Sequence, residues 1–119
     1  MKNVLRKIIG ITLMGGLLLS AIVVMAADKP LKIGGIVFQD DQFMRMLQIG
    51  MRDGAKKAGA DFFPGNSDGS IDKEIQLVND LVAQKVDGIA INVLSFDASV
   101  PALKRAHEKG IKVVISGTL

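Results

Sequence analysis

The chain has 119 residues, no cysteine and one histidine, and its 15 basic and 12 acidic residues give a formal net charge of +3. Three of the basic residues, Lys2, Arg6 and Lys7, lie in the first seven positions, so residues 27–119 are neutral overall. This balance excludes the basic surface that nucleic-acid binding requires. The lack of cysteine excludes disulfides and thiolate chemistry, and with a single histidine no metal site is expected.

The N-terminal 26 residues have the pattern of a secretory signal peptide. A basic segment, residues 1–7, precedes an uncharged apolar run, residues 8–25, which ends in the small-x-small sequence Val24-Met25-Ala26. This order predicts export to the periplasm, cleavage after Ala26 and no stable membrane insertion afterwards. A transmembrane anchor is the alternative, because about 18 apolar residues are just long enough to span a bilayer. No cysteine follows the run, so a lipid-modified N-terminus is not expected.

After this segment, short apolar runs alternate with segments of helical spacing. The predicted strands are residues 31–38, 61–63, 86–93 and 111–116, and the predicted helices are residues 43–58, 71–84 and a third that begins near Ser99 and ends at Gly110. Strands that are apolar throughout are typical of a parallel sheet covered on both faces. Right-handed crossovers then predict a doubly wound α/β fold for residues 27–119.

The side-chain pattern also predicts how the helices are oriented and where they begin. The face of the first helix that packs on the sheet is expected to contain Phe43, Met46, Leu47, Gly50, Met51 and Ala55. Ser70 is expected to cap the second helix. Pro101 is expected in the first turn of the third, where proline is tolerated.

Ligands of open parallel sheets bind at the carboxyl ends of the strands. The candidate ligand-binding residues there are Gln39, Asp40, Asp41, Phe43, Ser70, Asn92, Asp97 and Thr118. Their amide, carboxylate and hydroxyl groups can pair with ligand hydroxyls, and the ring of Phe43 can cover the apolar face of a sugar. Structural roles are the alternatives: Asp41 as a helix cap, Phe43 packed beneath its helix, and Asp97 at a helix start.

Catalytic and nucleotide-binding patterns are missing from the sequence. The single histidine, His107, lies beside charged residues on the expected solvated face of the third helix, so no nucleophile, base and orienting group can be assembled. Gly34 and Gly35 lie inside the first predicted strand, and no glycine-rich phosphate loop is present. We therefore expect neither an enzyme nor a bound cofactor.

Several segments together resemble type I periplasmic sugar-binding proteins of the ribose-binding-like class. They are residues 32–38, Phe43 seven positions before Gly50, residues 83–92, Asp97 ahead of the Val-Pro-Ala-Leu of residues 100–103, and residues 109–115. In order and spacing they cover residues 31–118. The resemblance implies a receptor that carries a small solute, most directly a monosaccharide, to the membrane subunits of an ABC-type importer, and that closes two lobes around it.

Residues 27–119 match only the first part of the N-terminal lobe of such receptors. By position, Asp41 corresponds to a polar ligand contact, Phe43 to a stacking aromatic, and Ser70 lies near another polar contact. Gly117 and Thr118 stand where the ribose-type pattern has an Asp-Arg pair that grips sugar hydroxyls. The alternative function is a small exported or membrane-anchored interaction or sensory half-domain without a transport role.

Overall fold

The computed structural model describes residues 28–117. The predicted signal peptide and Thr118 therefore lie outside the described residues. Strands and helices alternate in this part of the chain, in the order β1 (Lys32–Val37), α1 (Gln42–Lys57), β2 (Asp61–Asn66), α2 (Ile71–Ala83), β3 (Gly88–Ile91), α3 (Phe96–Glu108) and β4 (Lys112–Ile115).

The four strands form one parallel sheet in the order β2-β1-β3-β4. In the register, Ile33 of β1 lies beside Phe62 of β2 on one side and Gly88 of β3 on the other. The chain therefore leaves β1 in one direction to form β2 and returns past it to form β3. The strand order reverses at β1, and this confirms the doubly wound α/β prediction.

The main core lies between the sheet and the pair α2 and α3. Ile36, Ile89 and Ile91 project from β1 and β3, and Val86 and Ile111 join from the connections that lead into β3 and β4. The helices contribute the other buried apolar residues of this cluster, Val78, Leu81, Ala102, Leu103 and Ala106. The helix α1 packs instead against β1 and β2. Right-handed crossovers account for this, because opposite directions of travel along a sheet place the connecting helices on opposite faces.

The orientation of α1 differs from the predicted one by about one residue. Met44 and Ala55 are its buried residues, whereas Phe43 is 68% exposed and Met46 is 62% exposed. The prediction that Phe43 and Met46 pack against the sheet, and the alternative that Phe43 lies beneath its helix, are therefore wrong.

A buried polar residue explains the error in α1. Gln48 lies on the inward face, and its side-chain amide donates to the carbonyl oxygens of Gly35 at 3.2 Å and Gly65 at 2.9 Å. Counting only apolar residues assigned this position to the solvent side and rotated the expected face. The hydrogen bonds satisfy the amide, which makes its partial burial tolerable.

The helix α3 begins at Phe96, three residues earlier than predicted. Pro101 consequently lies in the second turn and not the first. There, the missing N–H of the proline leaves one carbonyl of the preceding turn without its helical hydrogen bond. Ser99 is not a helix-start residue but is buried within the helix, where its hydroxyl donates to the carboxylate of Glu74.

Candidate functional site

A depression of about 420 Å³ lies at the carboxyl ends of β1, β3 and β4, between the first turns of α1 and α3. This is the edge at which the strand order reverses, and the volume is in the range of small-molecule sites. The residues that line it are Phe38, Phe43, Met44, Leu47, Asn92, Val93, Leu94, Phe96, Ser116 and Gly117.

Two polar side chains line the depression where strands end. Asn92 directly follows β3; its backbone N–H donates to the carbonyl of Ile36 at 2.9 Å, and the residue is 7% exposed. Ser116 directly follows β4 and donates its backbone N–H to Ile91 at 2.8 Å. Within residues 28–117, the Ser116 Oγ has no hydrogen-bond partner. These main-chain bonds fix both polar residues at the end of the sheet.

The remaining side chains around the depression are apolar. Phe43 and Leu47 project from α1 together with the buried Met44, while Val93 and Leu94 belong to the β3–α3 connection and Phe96 is the first residue of α3. Phe43 and Phe96 are both exposed, so their rings can meet a ligand from two different elements. Among the described residues that line the depression, none carries a charge.

The acidic loop before α1 is bonded mainly to the first turn of α1 and does not line the depression. Asp41 caps α1, because its Oδ1 accepts the backbone N–H of Met44 at 2.8 Å, and its other oxygen accepts from the side chain of Gln39. The Met44 N–H, with a smaller contribution from Gln39, holds the pKa of Asp41 below its usual range. Asp40 forms an exposed ion pair with Arg45 at 3.1 Å. Ligand contact by these three residues stays a prediction.

Of the other candidates, Phe43 and Asn92 line the depression, whereas Ser70 and Asp97 do not. Ser70 caps α2, as predicted, and its Oγ accepts the backbone N–H of Lys73 at 3.3 Å. Asp97 is exposed in the first turn of α3, where a carboxylate suits the helix dipole. Thr118 lies outside the described residues.

A buried carboxylate that the sequence analysis overlooked holds the β3–α3 connection in place. Glu74 of α2 is 1% exposed, and its Oε2 accepts the backbone N–H of Leu94 at 3.0 Å while its Oε1 accepts the hydroxyl proton of Ser99. Its position four residues before the buried Val78 placed it on the apolar face of α2, and this was the available signal. Val93, Leu94 and Phe96 also line the depression, but as apolar residues they carry no sequence signal that distinguishes a ligand contact from a core position.

Residues 28–117 contain neither a metal-binding cluster nor a membrane-spanning helix. No cluster of three or more His, Cys, Asp or Glu side chains in this range could hold a metal ion. No helix in the same range has the length and apolar character needed to cross a membrane.

The doubly wound α/β fold, with a depression at the carboxyl ends of its strands, agrees with the comparison with known families. Residues 36–118 match the family described as periplasmic binding protein domain. This match covers more than half of the chain, and the chain therefore belongs to the periplasmic binding protein family. The predicted family resemblance is confirmed.

Individual relatives are transport proteins of the same type. The chain is 32% identical to the ABC transporter periplasmic-binding protein YphF of Escherichia coli (strain K12), over 99% of this chain and 37% of that protein. An ABC transporter solute-binding protein from Burkholderia graminis, in complex with D-arabinose, shares 30% identity and a TM-score of 0.65 over 73% of this chain and 30% of its own. One from Mycobacterium smegmatis, with bound glycerol, shares 28% identity and a TM-score of 0.67 over 73% and 31%. The chain thus spans about a third of the length of these proteins.

Proposed function

We propose that this chain forms part of the N-terminal lobe of a periplasmic receptor that binds a small polar solute, most directly a sugar, and delivers it to the membrane subunits of an ABC-type importer. The role consists of binding and release and involves no chemical step. In this proposal, residues 27–119 form part of the lobe and residues 1–26 form a cleaved signal peptide.

The observation that carries this proposal is the depression at the reversal of strand order, in a chain that belongs to the periplasmic binding protein family. Asn92 and Ser116 present hydrogen-bonding groups at the strand ends, and Phe43 and Phe96 present exposed rings. Rings that cover C–H faces and amides that pair with hydroxyls are the groups that hold a sugar. The complexes of similar proteins with D-arabinose and with glycerol support a polyhydroxylated ligand.

The proposal is tested on the intact native protein, including any sequence that natively adjoins this chain. Calorimetric titration with a panel of pentoses, hexoses and polyols is expected to give at least one ligand with micromolar or tighter affinity, accompanied by a rise in Tm because ligand binds only the folded state. The mass of the protein recovered from the periplasm reports export and cleavage after Ala26. If no compound of the panel raises the Tm or gives a heat of binding, the sugar-receptor function is contradicted.

A further inference from the structure

Polar and apolar side chains are segregated around the depression. Asn92 and Ser116 are the polar side chains in its described lining, and both lie at the ends of the neighbouring strands β3 and β4. The apolar side chains lie after β1, on α1, on the β3–α3 connection and at the start of α3. Among the described residues, polar side chains are therefore confined to one end of the depression.

Three carboxylates near the depression are engaged elsewhere, and a fourth, Asp97, is exposed on the first turn of α3 outside the lining. Asp41 is committed to the N-terminus of α1 and to Gln39, and Asp40 to Arg45. Glu74 lies beneath the β3–α3 connection, bonded to Leu94 and Ser99. None of these carboxylates lines the depression. A ligand hydroxyl placed against the walls would lose its hydrogen bonds to water and gain no charge-assisted partner in return.

We propose that this lobe binds the less hydroxylated side of its ligand: a small uncharged solute of the deoxysugar or alkyl-substituted sugar class, whose hydroxyls meet Asn92 and Ser116 and whose apolar edge meets Phe43, Leu94 and Phe96. The inference rests on the proposed receptor function and specifies its substrate class. A volume of about 420 Å³ accommodates one such molecule.

The physical basis is a difference in desolvation. Replacing a hydroxyl that faces an apolar wall by hydrogen removes a group that must be dehydrated without compensation, and replacing it by a methyl group adds apolar area to bury. The affinities of two ligands that differ by a single hydroxyl therefore distinguish this lobe from a lobe lined by carboxylates and guanidinium groups. A lobe with a charged lining would lose charge-assisted bonds with every hydroxyl removed.

The test is calorimetric titration of the intact native protein with the tightest-binding sugar of the pentose and hexose panel and with each of its monodeoxy analogues. At least one analogue is expected to bind about fivefold tighter than the parent sugar or better. If every analogue binds equally or more weakly, the inference is overturned while the receptor function stands. If neither the panel nor the analogues bind, the receptor function itself fails.

A matched pair of variants on α3 assigns the preference to the apolar wall. Phe96 and Val100 are similarly exposed, at 42% and 40%, but only Phe96 lines the depression. Phe96→Ala is expected to reduce the preference for the deoxy analogue to less than twofold, whereas Val100→Ala retains it. An unchanged preference in Phe96→Ala would contradict the assignment of the apolar edge to this wall.

Discussion

The carboxylate of Glu74 accepts the backbone N–H of Leu94 at 3.0 Å, across twenty residues of sequence. The second carboxylate oxygen accepts the hydroxyl of Ser99, so one side chain of α2 ties both the β3–α3 connection and the first turns of α3 to the core. Leu94 lines the depression. A residue outside the depression thus sets the position of its wall.

Glu74→Leu is expected to lower the free energy of unfolding by about 2–4 kcal/mol, because the Leu94 N–H and the Ser99 hydroxyl lose their acceptor and an unsatisfied buried donor costs about 1–3 kcal/mol. Amide exchange at Leu94 should accelerate more than at Ile89, in the centre of the sheet. Urea unfolding and hydrogen exchange with residue resolution measure the two effects.

Glu74→Gln is the control for this variant. The glutamine oxygen can accept from the Leu94 N–H while its NH₂ donates to the Ser99 Oγ, so both contacts can be kept. Exchange at Leu94 should stay close to that of the native protein. Equal acceleration in Glu74→Gln and Glu74→Leu would show that side-chain hydrogen bonding at this position does not hold the connection.

A second prediction concerns the close approach of α2 to β1 at Gly34. A Cβ atom at this position would lie 2.3 Å from the Cδ1 of Leu81, which is itself buried. Gly34→Ala should therefore destabilise the protein by about 1–3 kcal/mol, the usual range for an overpacked core. The midpoint of urea unfolding measures the change, provided that the slope with urea is retained.

Gly50→Ala on α1 is expected to change the stability in the opposite direction. Nothing lies within 4 Å of the position that a Cβ atom would take at Gly50, which is exposed inside a helix. Alanine there should stabilise by up to about 1 kcal/mol, because it favours the helix and reduces the entropy of the unfolded chain. Destabilisation by Gly50→Ala would contradict the open space at that position, and an unchanged stability of Gly34→Ala would contradict the overpacked contact with Leu81.

The sequence was sufficient to predict the alternation of strands and helices, the parallel sheet and the cap at Ser70, because these depend on local patterns of apolar and capping residues. It was not sufficient for features in which a buried polar group replaces an apolar one. Gln48 and Glu74 both lie on inward helix faces, and their burial depends on partners distant in sequence, the carbonyl of Gly65 and the amide of Leu94. Patterns of hydrophobicity cannot register such partners.

The candidate site was predictable in place but only partly in composition. The carboxyl ends of the strands follow from the topology, and Asn92 and Phe43 were found there. The polar loop of Gln39, Asp40 and Asp41 has the composition of a ligand-binding loop, but its carboxylates bind Gln39 and the first turn of α1. Whether an acidic group faces a ligand or a helix terminus depends on the local backbone direction, which the sequence alone does not specify.

The cap at Asp41 leads to a prediction about pH. Because the Met44 N–H lowers the pKa of this carboxyl in the folded protein, ionised Asp41 stabilises the fold above the unfolded pKa of about 3.9. This contribution is lost as the pH falls through the lower folded pKa. Asp41→Asn keeps a side chain that can cap but removes the charge. Its Tm deficit relative to the native protein should be present at pH 7 and shrink as the pH falls from the unfolded pKa of about 3.9 through the lower folded pKa.

Asp41→Ala is the comparison that separates capping from charge. It removes the acceptor of the Met44 N–H altogether, so its Tm should lie below that of Asp41→Asn at pH 7, and a deficit should persist in acid. Thermal unfolding followed by circular dichroism between about pH 2 and pH 7 measures all three proteins, because the lower folded pKa of Asp41 lies in the acidic part of this range. A deficit of Asp41→Asn that is constant with pH would contradict the assigned charge effect.

Phe43 and Met46 allow the stacking role of Phe43 to be tested without disturbing the core. Both are exposed apolar residues of α1, but Phe43 lines the depression and Met46 does not. Phe43→Ala should weaken binding of the best sugar of the panel by about tenfold, equivalent to about 1.4 kcal/mol, because the ring no longer covers the apolar face of the ligand. Met46→Ala should leave affinity within about twofold. Neither substitution creates a buried cavity, so both variants should unfold within a few degrees of the native Tm. Calorimetric titration and thermal unfolding of the two variants in parallel provide the measurement, and equal losses of affinity would remove Phe43 from the site.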